Sequence, residues 1–293
     1  AEIPEEMQEI ANQFNSGIEQ LPESKRLTTA STCLRAAQKA RKATAFESAV
    51  FYAELSIRLL GDSDAWQQHH ELRFEQGLVL AECEGLCRRF SQSERKINEL
   101  QQQANTVEQK IQLLLIRMNL IELRGLYVES IEVLLGGLAL LDVHFPRGEA
   151  LQQALAESLQ ELPTRFEDIN AQTLMDTSKT ENPHHLLVMK LLMRLWTPCY
   201  ITGQINLLTL ASIYLVNYTL KHGRNEITPF AYCAFALVYG YIKNDHCLAY
   251  QFGLAGAELA KEVDNLAVKN RSYCLFSIST DNCQTPTSKR RKG

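Results

Sequence analysis

Proline and glycine are scarce in this sequence, with 8 Pro and 14 Gly among 293 residues. Sandwiches and barrels of many short strands need more turn residues than this, so the composition argues against them. Neither sign of charge dominates, since 30 Lys and Arg face 34 Asp and Glu. A protein that binds nucleic acid through its phosphates carries an excess of cationic side chains, so that function class is not expected.

Long uninterrupted apolar runs are also missing. The most apolar stretch, 196–220, contains Pro198, Gln204, Asn206 and Asn217, whose polar groups a bilayer would have to desolvate. We therefore interpret it as a buried helix and expect no transmembrane segment. The 8 cysteines lie mostly among aliphatic or helix-forming neighbours, where a free thiol packs as a small hydrophobe. No secretory signal is visible at the start, so a cytoplasmic protein is expected.

Apolar side chains recur every three or four residues almost throughout, which is the spacing of one stripe along a helix. Two such runs are Ile111, Leu114, Leu115, Met118 and Ile121, and Leu186, Met189, Leu192, Met193 and Trp196. Breaking residues fall between the runs, among them Gly61, Pro163, Pro183, Gly203 and Gly223. The sequence therefore predicts an all-α fold of many helices joined by short turns.

Small side chains separated by twelve and then seven residues indicate a repeat. Tetratricopeptide units place small residues at this spacing, where two helix backbones approach closely, and each set here has a ring three positions before its second member. The predicted packing residues are Ala37, Phe46, Ala49 and Ser56; Phe90 and Ser93; Tyr127, Ser130 and Gly137; and Ala249 and Gly256, with His246 in the ring position. The prediction is an α-solenoid of irregular tetratricopeptide-like hairpins, and the alternative is a helical bundle with these spacings by chance.

The helical rhythm changes between residues 145 and 183, where an amphipathic helix is followed by the polar stretch 176–182. The helix is predicted from Leu151, Leu155, Leu159 and Leu162. Four parts are therefore expected. They are N-terminal hairpins over 1–144, an amphipathic helix and connecting loop over 145–183, a C-terminal helical-repeat half over 184–276, and a disordered tail over 277–293 that ends in Lys289, Arg290, Arg291 and Lys292.

Several segments carry a family resemblance: 14–17, 36–46, 127–141, 182–192, 197–201, 220–223, 230–232 and 250–253. They are similar to the helical region of very large multidomain signalling proteins, where it lies between an AAA/STAND-type ATPase and a GAF–histidine kinase module, often behind a Ser/Thr kinase domain. The similarity covers roughly residues 6–276 and consists of packing patterns. It implies a cytoplasmic relay segment without chemistry of its own. The kinase and ATPase domains themselves are not in this sequence.

Signatures of catalysis are lacking. The sequence has no phosphate-binding G-x-x-x-x-G-K-[ST] loop, no kinase His-Arg-Asp or Asp-Phe-Gly set and no G-x-S-x-G serine, so a non-enzymatic chain without a cofactor is predicted. The residues most similar to a metal site are His69, His70, Cys83 and Cys87. Packing of the two thiols between helices is the preferred interpretation, and no metal site is predicted.

Two sets of side chains are predicted to meet a partner or a ligand. Arg35, Lys39 and Lys42 recur every three or four residues along a helix, as do cations that bind acidic peptides in tetratricopeptide grooves. The C-terminal half is rich in aromatic residues, and its candidates are Tyr200, Tyr214, Tyr218, Tyr232 and Tyr239.

Three functions remain open at this point. The first is a scaffold for signal transduction that binds a protein partner or a neighbouring signalling domain. The second is a small-molecule-sensing regulatory domain with a ligand pocket in the aromatic C-terminal half. A cryptic hydrolase or metalloenzyme is the third.

Overall fold

The computed structural model describes Gly17 and residues 21–61, 65–166 and 168–284. The described residues are all-α and 80% helical, and their helices pack with their neighbours in the sequence. Within the described residues there is no strand, and the one extended pairing is an isolated parallel bridge between Lys179 and Arg224. Contact density divides the chain into two compact units, Ala1–Arg124 and Gly125–Gly293.

The first unit is a series of helices packed in chain order. Its described helices are α1 Glu23–Lys42, α2 Phe46–Leu60, α3 Ala65–Gln68, α4 His70–Leu86, α5 Phe90–Gln103 and α6 Val107–Leu123. Helix α2 packs against α1 and α4, and α5 packs against α4 and α6. One core cluster contains Ala37, Ala49 and Cys83, and a second contains Phe74 and Ile97. The small residues are therefore buried where the first hairpin meets α4.

The second unit has the same sequential packing with one interruption. Its described helices are α7 Tyr127–Ala139, α8 Glu149–Arg165, α9 Ala171–Met175, α10 Pro183–Ile201, α11 Ile205–His222, α12 Thr228–Lys243, α13 His246–Leu259, a 3-10 turn Ala260–Glu262 and α14 Leu266–Gln284. Helices α10 to α13 pack each on the next, while α7 packs on α10. Helices α8 and α9 pack instead on α11 and α13, around the rings of Phe166, Tyr232, Phe235 and Phe252.

The same turn closes three of the hairpins, α1–α2, α4–α5 and α10–α11. A residue with positive φ stands at its centre: Thr44 (60°), Arg88 (61°) and Gly203 (71°). In each turn the next backbone N–H donates a 2.9 Å bond to the carbonyl five residues back, from Ala45 to Ala40, from Arg89 to Glu84 and from Gln204 to Cys199. This is the 6→1 bond of a Schellman motif, which satisfies a helix-end carbonyl and reverses the chain.

Most of the expected breaking residues lie at helix ends. Gly61, Gly203 and Gly223 lie just past the ends of α2, α10 and α11 with positive φ. Pro183 opens α10, and the preceding Asn182 side chain accepts a 2.9 Å bond from the His184 backbone N–H. Pro163 is an exception, since α8 continues past it to Arg165.

The last helix enters the segment expected to be a disordered tail. Helix α14 extends to Gln284, so residues 277–284 are helical. The remainder of that segment, with its four basic residues, lies outside the described residues. The first compact unit ends at Arg124, and the boundary at residue 144 stays a prediction.

Helices α12 and α13 cross closely at Gly256. A Cβ at this position would lie 2.6 Å from Cys233 Sγ and 2.7 Å from the Pro229 carbonyl oxygen. Because the second of these atoms is backbone, α12 itself would have to move to admit a methyl group. The glycine therefore sets how near the two helices lie.

We expect Gly256→Ala to lower the free energy of unfolding by about 1–3 kcal/mol, the usual cost of overpacking a core. The matched control is Gly136→Ala in α7 of the same unit, where a Cβ meets nothing within 4 Å. There the alanine should stabilise the helix by about 0.5–1 kcal/mol. Urea unfolding of both variants measures the difference, and equal effects would contradict a close crossing at Gly256.

Candidate functional site

The first predicted packing set lies in the core of the first unit. Ala37, Ala49 and Ser56 are each fully buried. Ser56 Oγ donates a 2.6 Å bond to the Ala30 carbonyl and accepts a 2.8 Å bond from Gln76 Nε2, which belongs to α4. The serine thus ties α2 to α1 and to α4 through a buried polar network, which is costly to break.

The second set has the same kind of contact between α4 and α5. Ser93 is fully buried, and its Oγ donates a 2.6 Å bond to the Ala81 carbonyl. Nearby, a Cβ at Gly85 would lie 2.2 Å from Leu120 Cδ2 of α6. Sequence reasoning missed Gly85; a glycine inside a helix was the available signal for a close approach.

The remaining packing residues are distributed over the second unit. Ser130 and Gly137 are buried in α7, and Ser130 Oγ donates to the Tyr127 carbonyl of its own helix at 2.8 Å. Ala249 is buried in α13, about two turns before Gly256. The predicted ring residues share one position: Phe46, Phe90, Tyr127 and His246 are each the first residue of their helix.

The cationic residues of α1 form an exposed row. Arg35, Lys39 and Lys42 are exposed, and none of them makes an ion pair with another described residue. Arg35 Nη2 donates to Thr32 Oγ1 at 3.2 Å. By contrast Arg41, on the same helix, is engaged by Glu82 of α4. The row is therefore free to meet an acidic partner.

The five predicted tyrosines do not share a surface. Tyr232 and Tyr239 are 0% and 4% exposed, and so contact core neighbours and no partner in this conformation. Tyr214 packs against Phe145 with ring centroids 4.8 Å apart. Tyr218 lies against histidines, and Tyr200 alone is largely exposed, at 64%. Most aromatic side chains of this half lie in the core, because rings bury large areas.

The histidines and cysteines of the first unit contact other groups. His70 Nε2 lies 2.7 Å from the Gln103 carbonyl and 3.1 Å from Asn105 Nδ2. Burial raises the pKa of the Cys83 thiol to about 12 and that of Cys87 to about 11. Thiols in this state are protonated, whereas metal binding and nucleophilic attack need the thiolate. No group of three His, Cys, Asp or Glu side chains is arranged to hold a metal ion within the described part of the chain.

A histidine cluster that sequence reasoning missed joins the start of α10 to the end of α11. The rings of His185 and His222 have centroids 4.3 Å apart, and Tyr218 lies 4.4 Å from His222. His185 Nδ1 is buried without a hydrogen-bond partner among the described residues. Burial, and next the neighbouring His184, lower the pKa of His185. Burial, followed by His185, Lys221 and His184, lowers the pKa of His222.

A cleft of about 530 Å³ also lies within the second unit. Its walls come from residues 179–181, from the α11–α12 connection with Arg224 and Asn225, and from the 3-10 turn and the loop that leads into α14. The bridge between Lys179 and Arg224 forms beside it, with the Thr180 N–H donating to the Arg224 carbonyl at 2.9 Å. No tyrosine lines this cleft, so it is not the aromatic pocket that the sequence suggested.

The turn between α10 and α11 carries an exposed apolar surface. Tyr200, Ile201 and Ile205 are 64%, 50% and 48% exposed; we call these three residues the hairpin patch. The Tyr200 ring stacks on Trp196 at 5.6 Å, and Trp196 Nε1 donates to Ser212 Oγ at 3.2 Å. The patch is thus supported by a buried, hydrogen-bonded tryptophan.

The histidine cluster predicts that acid destabilises the fold. Because the pKa values of His185 and His222 are lowered from 6.5 in the folded state, the unfolded chain binds more protons below that pH. The free energy of unfolding should therefore fall as the pH drops from about 7.5 to about 5.5. Urea unfolding across this range measures the slope, which His222→Gln should reduce and His144→Gln, at an exposed position, should leave unchanged. Equal slopes in all three proteins would refute the role of the cluster.

No protein-family model, curated protein or solved structure matches this chain. Within the described residues, no helix has both the length and the hydropathy needed to cross a bilayer. The described part of the protein is all-helical, with about 14 helices packed in sequential pairs, and no family is identified.

Proposed function

We propose that this chain is a non-catalytic helical-repeat scaffold that binds a protein partner or a neighbouring domain of a kinase- and ATPase-associated signalling system in the cytoplasm. The observation that carries the proposal is the hairpin patch. Exposed aromatic and aliphatic side chains clustered on a rigid support are typical of binding hot spots. The resemblance to the helical region of multidomain signalling proteins points to the same kind of role.

The hairpins belong, in this proposal, to an irregular tetratricopeptide-like solenoid. Its support is the recurrence of one Schellman turn at 40–45, 84–89 and 199–204. Small residues at helix crossings and a ring or branched residue at the start of the following helix recur as well. In the α10–α11 hairpin that starting residue is Ile205, which belongs to the hairpin patch.

More apolar surface lies at the same end of these helices. Tyr241 and Ile242, near the end of α12, are 84% and 37% exposed. Since α10, α11 and α12 pack in order through short connections, they run antiparallel, and the α12 end lies on the side of the α10–α11 turn. A partner helix or extended segment that covers the hairpin patch would bury these two side chains as well.

A small-molecule sensor is the second candidate function. The observation in its favour is the cleft beside Arg224, which lies in the C-terminal half as that hypothesis requires. The cleft is lined by charged and apolar side chains and by no aromatic ring, so its ligand would differ from the aromatic-bound ligand expected from the sequence.

We expect the double variant Ile201→Ser/Ile205→Ser to lose partner binding by about tenfold or more, since anchors in a patch centre dominate affinity. The intact chain and the variant are immobilised and used to capture proteins from cells of the source organism, with quantitative mass spectrometry as the readout. The identified partners are then titrated against both proteins.

The matched control for this experiment is Val128→Ser/Leu140→Ser, which removes side chains of the same unit that are 61% and 48% exposed. It should retain the partners of the intact chain. If partners bind the patch variant as tightly as they bind the intact chain, the hairpin patch is not their binding surface.

A further inference from the structure

Two neighbouring donors that lack acceptors lie beneath the wall of the cleft. Arg224 Nε and Asn225 Nδ2 are both buried and have no hydrogen-bond partner among the described residues. The other groups of Asn225 are used locally, since its Oδ1 accepts from the Ile227 N–H at 2.9 Å and its own N–H donates to Thr228 Oγ1 at 3.0 Å. Buried donors are nearly always paired, so this pair favours an acceptor in the cleft, which a rotation of the two lining side chains would bring within reach.

The donor side of the cleft suits a carboxylate. Arg224 Nη1 lies 3.5 Å from Glu262 Oε2, a long contact, and Nε of the same guanidinium has no partner among the described residues. Thr228 at the start of the 16-residue helix α12 also lines the cleft, so the positive end of that helix dipole faces the same region. A planar carboxylate can accept from an arginine fork and an amide together.

The rest of the lining carries negative charge. Four carboxylates, Glu181, Glu226, Glu262 and Asp264, stand against two cations, Lys179 and Arg224. Glu226 is engaged by Lys190 at 3.0 Å, and Glu262 lies near both cleft cations. Glu181 and Asp264 are exposed and form no ion pair with any described residue. A doubly charged phosphate would be repelled by this lining, whereas an ammonium group would be attracted.

Apolar groups complete the wall. Leu186, Pro229, Leu259 and Val263 line the cleft beside the charged groups. The volume of about 530 Å³ lies within the range of about 300–1,000 Å³ that is usual for small-molecule sites. An aliphatic side chain of a ligand would therefore find both space and apolar contact.

We propose that this cleft binds a zwitterion of the amino-acid class with an aliphatic side chain, free or as a dipeptide. Its carboxylate accepts from Arg224 and Asn225, and its ammonium group lies between Glu181 and Asp264. The proposal goes beyond the scaffold function, does not depend on it, and specifies a ligand class for the sensor alternative.

The test compares four probes on the intact chain by calorimetry and thermal unfolding: L-leucine, leucyl-leucine, 3-methylbutylamine and 4-methylpentanoate. The amine and the acid are leucine without its carboxylate and without its ammonium group. We expect leucine or the dipeptide to bind and to raise the unfolding temperature, and both one-charge analogues to bind at least about tenfold more weakly. Equal binding of one analogue, or no binding of either zwitterion at about 10 mM, would overturn the proposal.

Variants locate the binding. Arg224→Gln should weaken zwitterion binding at least about tenfold. Glu181→Gln/Asp264→Asn should weaken it to a similar degree, and because both residues are exposed this variant leaves the core intact. The control Glu129→Gln/Glu149→Gln removes two exposed carboxylates elsewhere in the unit and should bind as the intact chain does. Undiminished binding by the Glu181→Gln/Asp264→Asn protein would place the ligand elsewhere. Ile201→Ser/Ile205→Ser should bind the zwitterion as the intact chain does. The partner-binding proposal and the cleft proposal are therefore tested independently.

Discussion

Close approach of paired helix backbones is the constraint on which the rest of this structure depends. Where α12 meets α13, the Gly256 position leaves no room for a methyl group beside Cys233 and the Pro229 carbonyl. In the first hairpin, fully buried Ala37 and Ala49 occupy the corresponding contact. Helices that lie this close bury their intervening side chains almost completely, and the dense packing gives each hairpin its rigidity.

One turn geometry recurs and joins closely packed helices into similar hairpins. The Schellman bond at each of three hairpins ends one helix and directs the next back along it. In each of these turns, the first residue of the following helix lies at the end of the hairpin. Phe46 and Phe90 are half-buried there, whereas Ile205 is 48% exposed beside Tyr200 and Ile201. The proposed partner surface is thus a hairpin end at which the first residue of the second helix stays exposed.

The cleft has a different origin, in the segment that interrupts the hairpins. Residues 178–180 return beside the α11–α12 connection, and a Cβ at Gly223 would lie 2.8 Å from the Ser178 carbonyl oxygen. The missing side chain lets the two backbones pair, and the pairing holds Arg224 and Asn225 against the loop that follows α13. The core and the cleft share residues, since Leu259 belongs to the core cluster and also lines the cleft.

The sequence by itself determined the all-α class, because the 3.6-residue spacing of apolar side chains is a local property of the chain. It also singled out Ala37, Ala49, Ser56 and Gly256 as small residues, and the structure has each of them buried in its helix. Only the tertiary structure separated core tyrosines such as Tyr232 from exposed Tyr200, since both belong to apolar stretches with the same periodicity. The tertiary structure also forms the cleft and brings His185 next to His222, and both features join residues that are distant in sequence. No local pattern encodes which distant segments meet, because the packing of whole helices sets those distances.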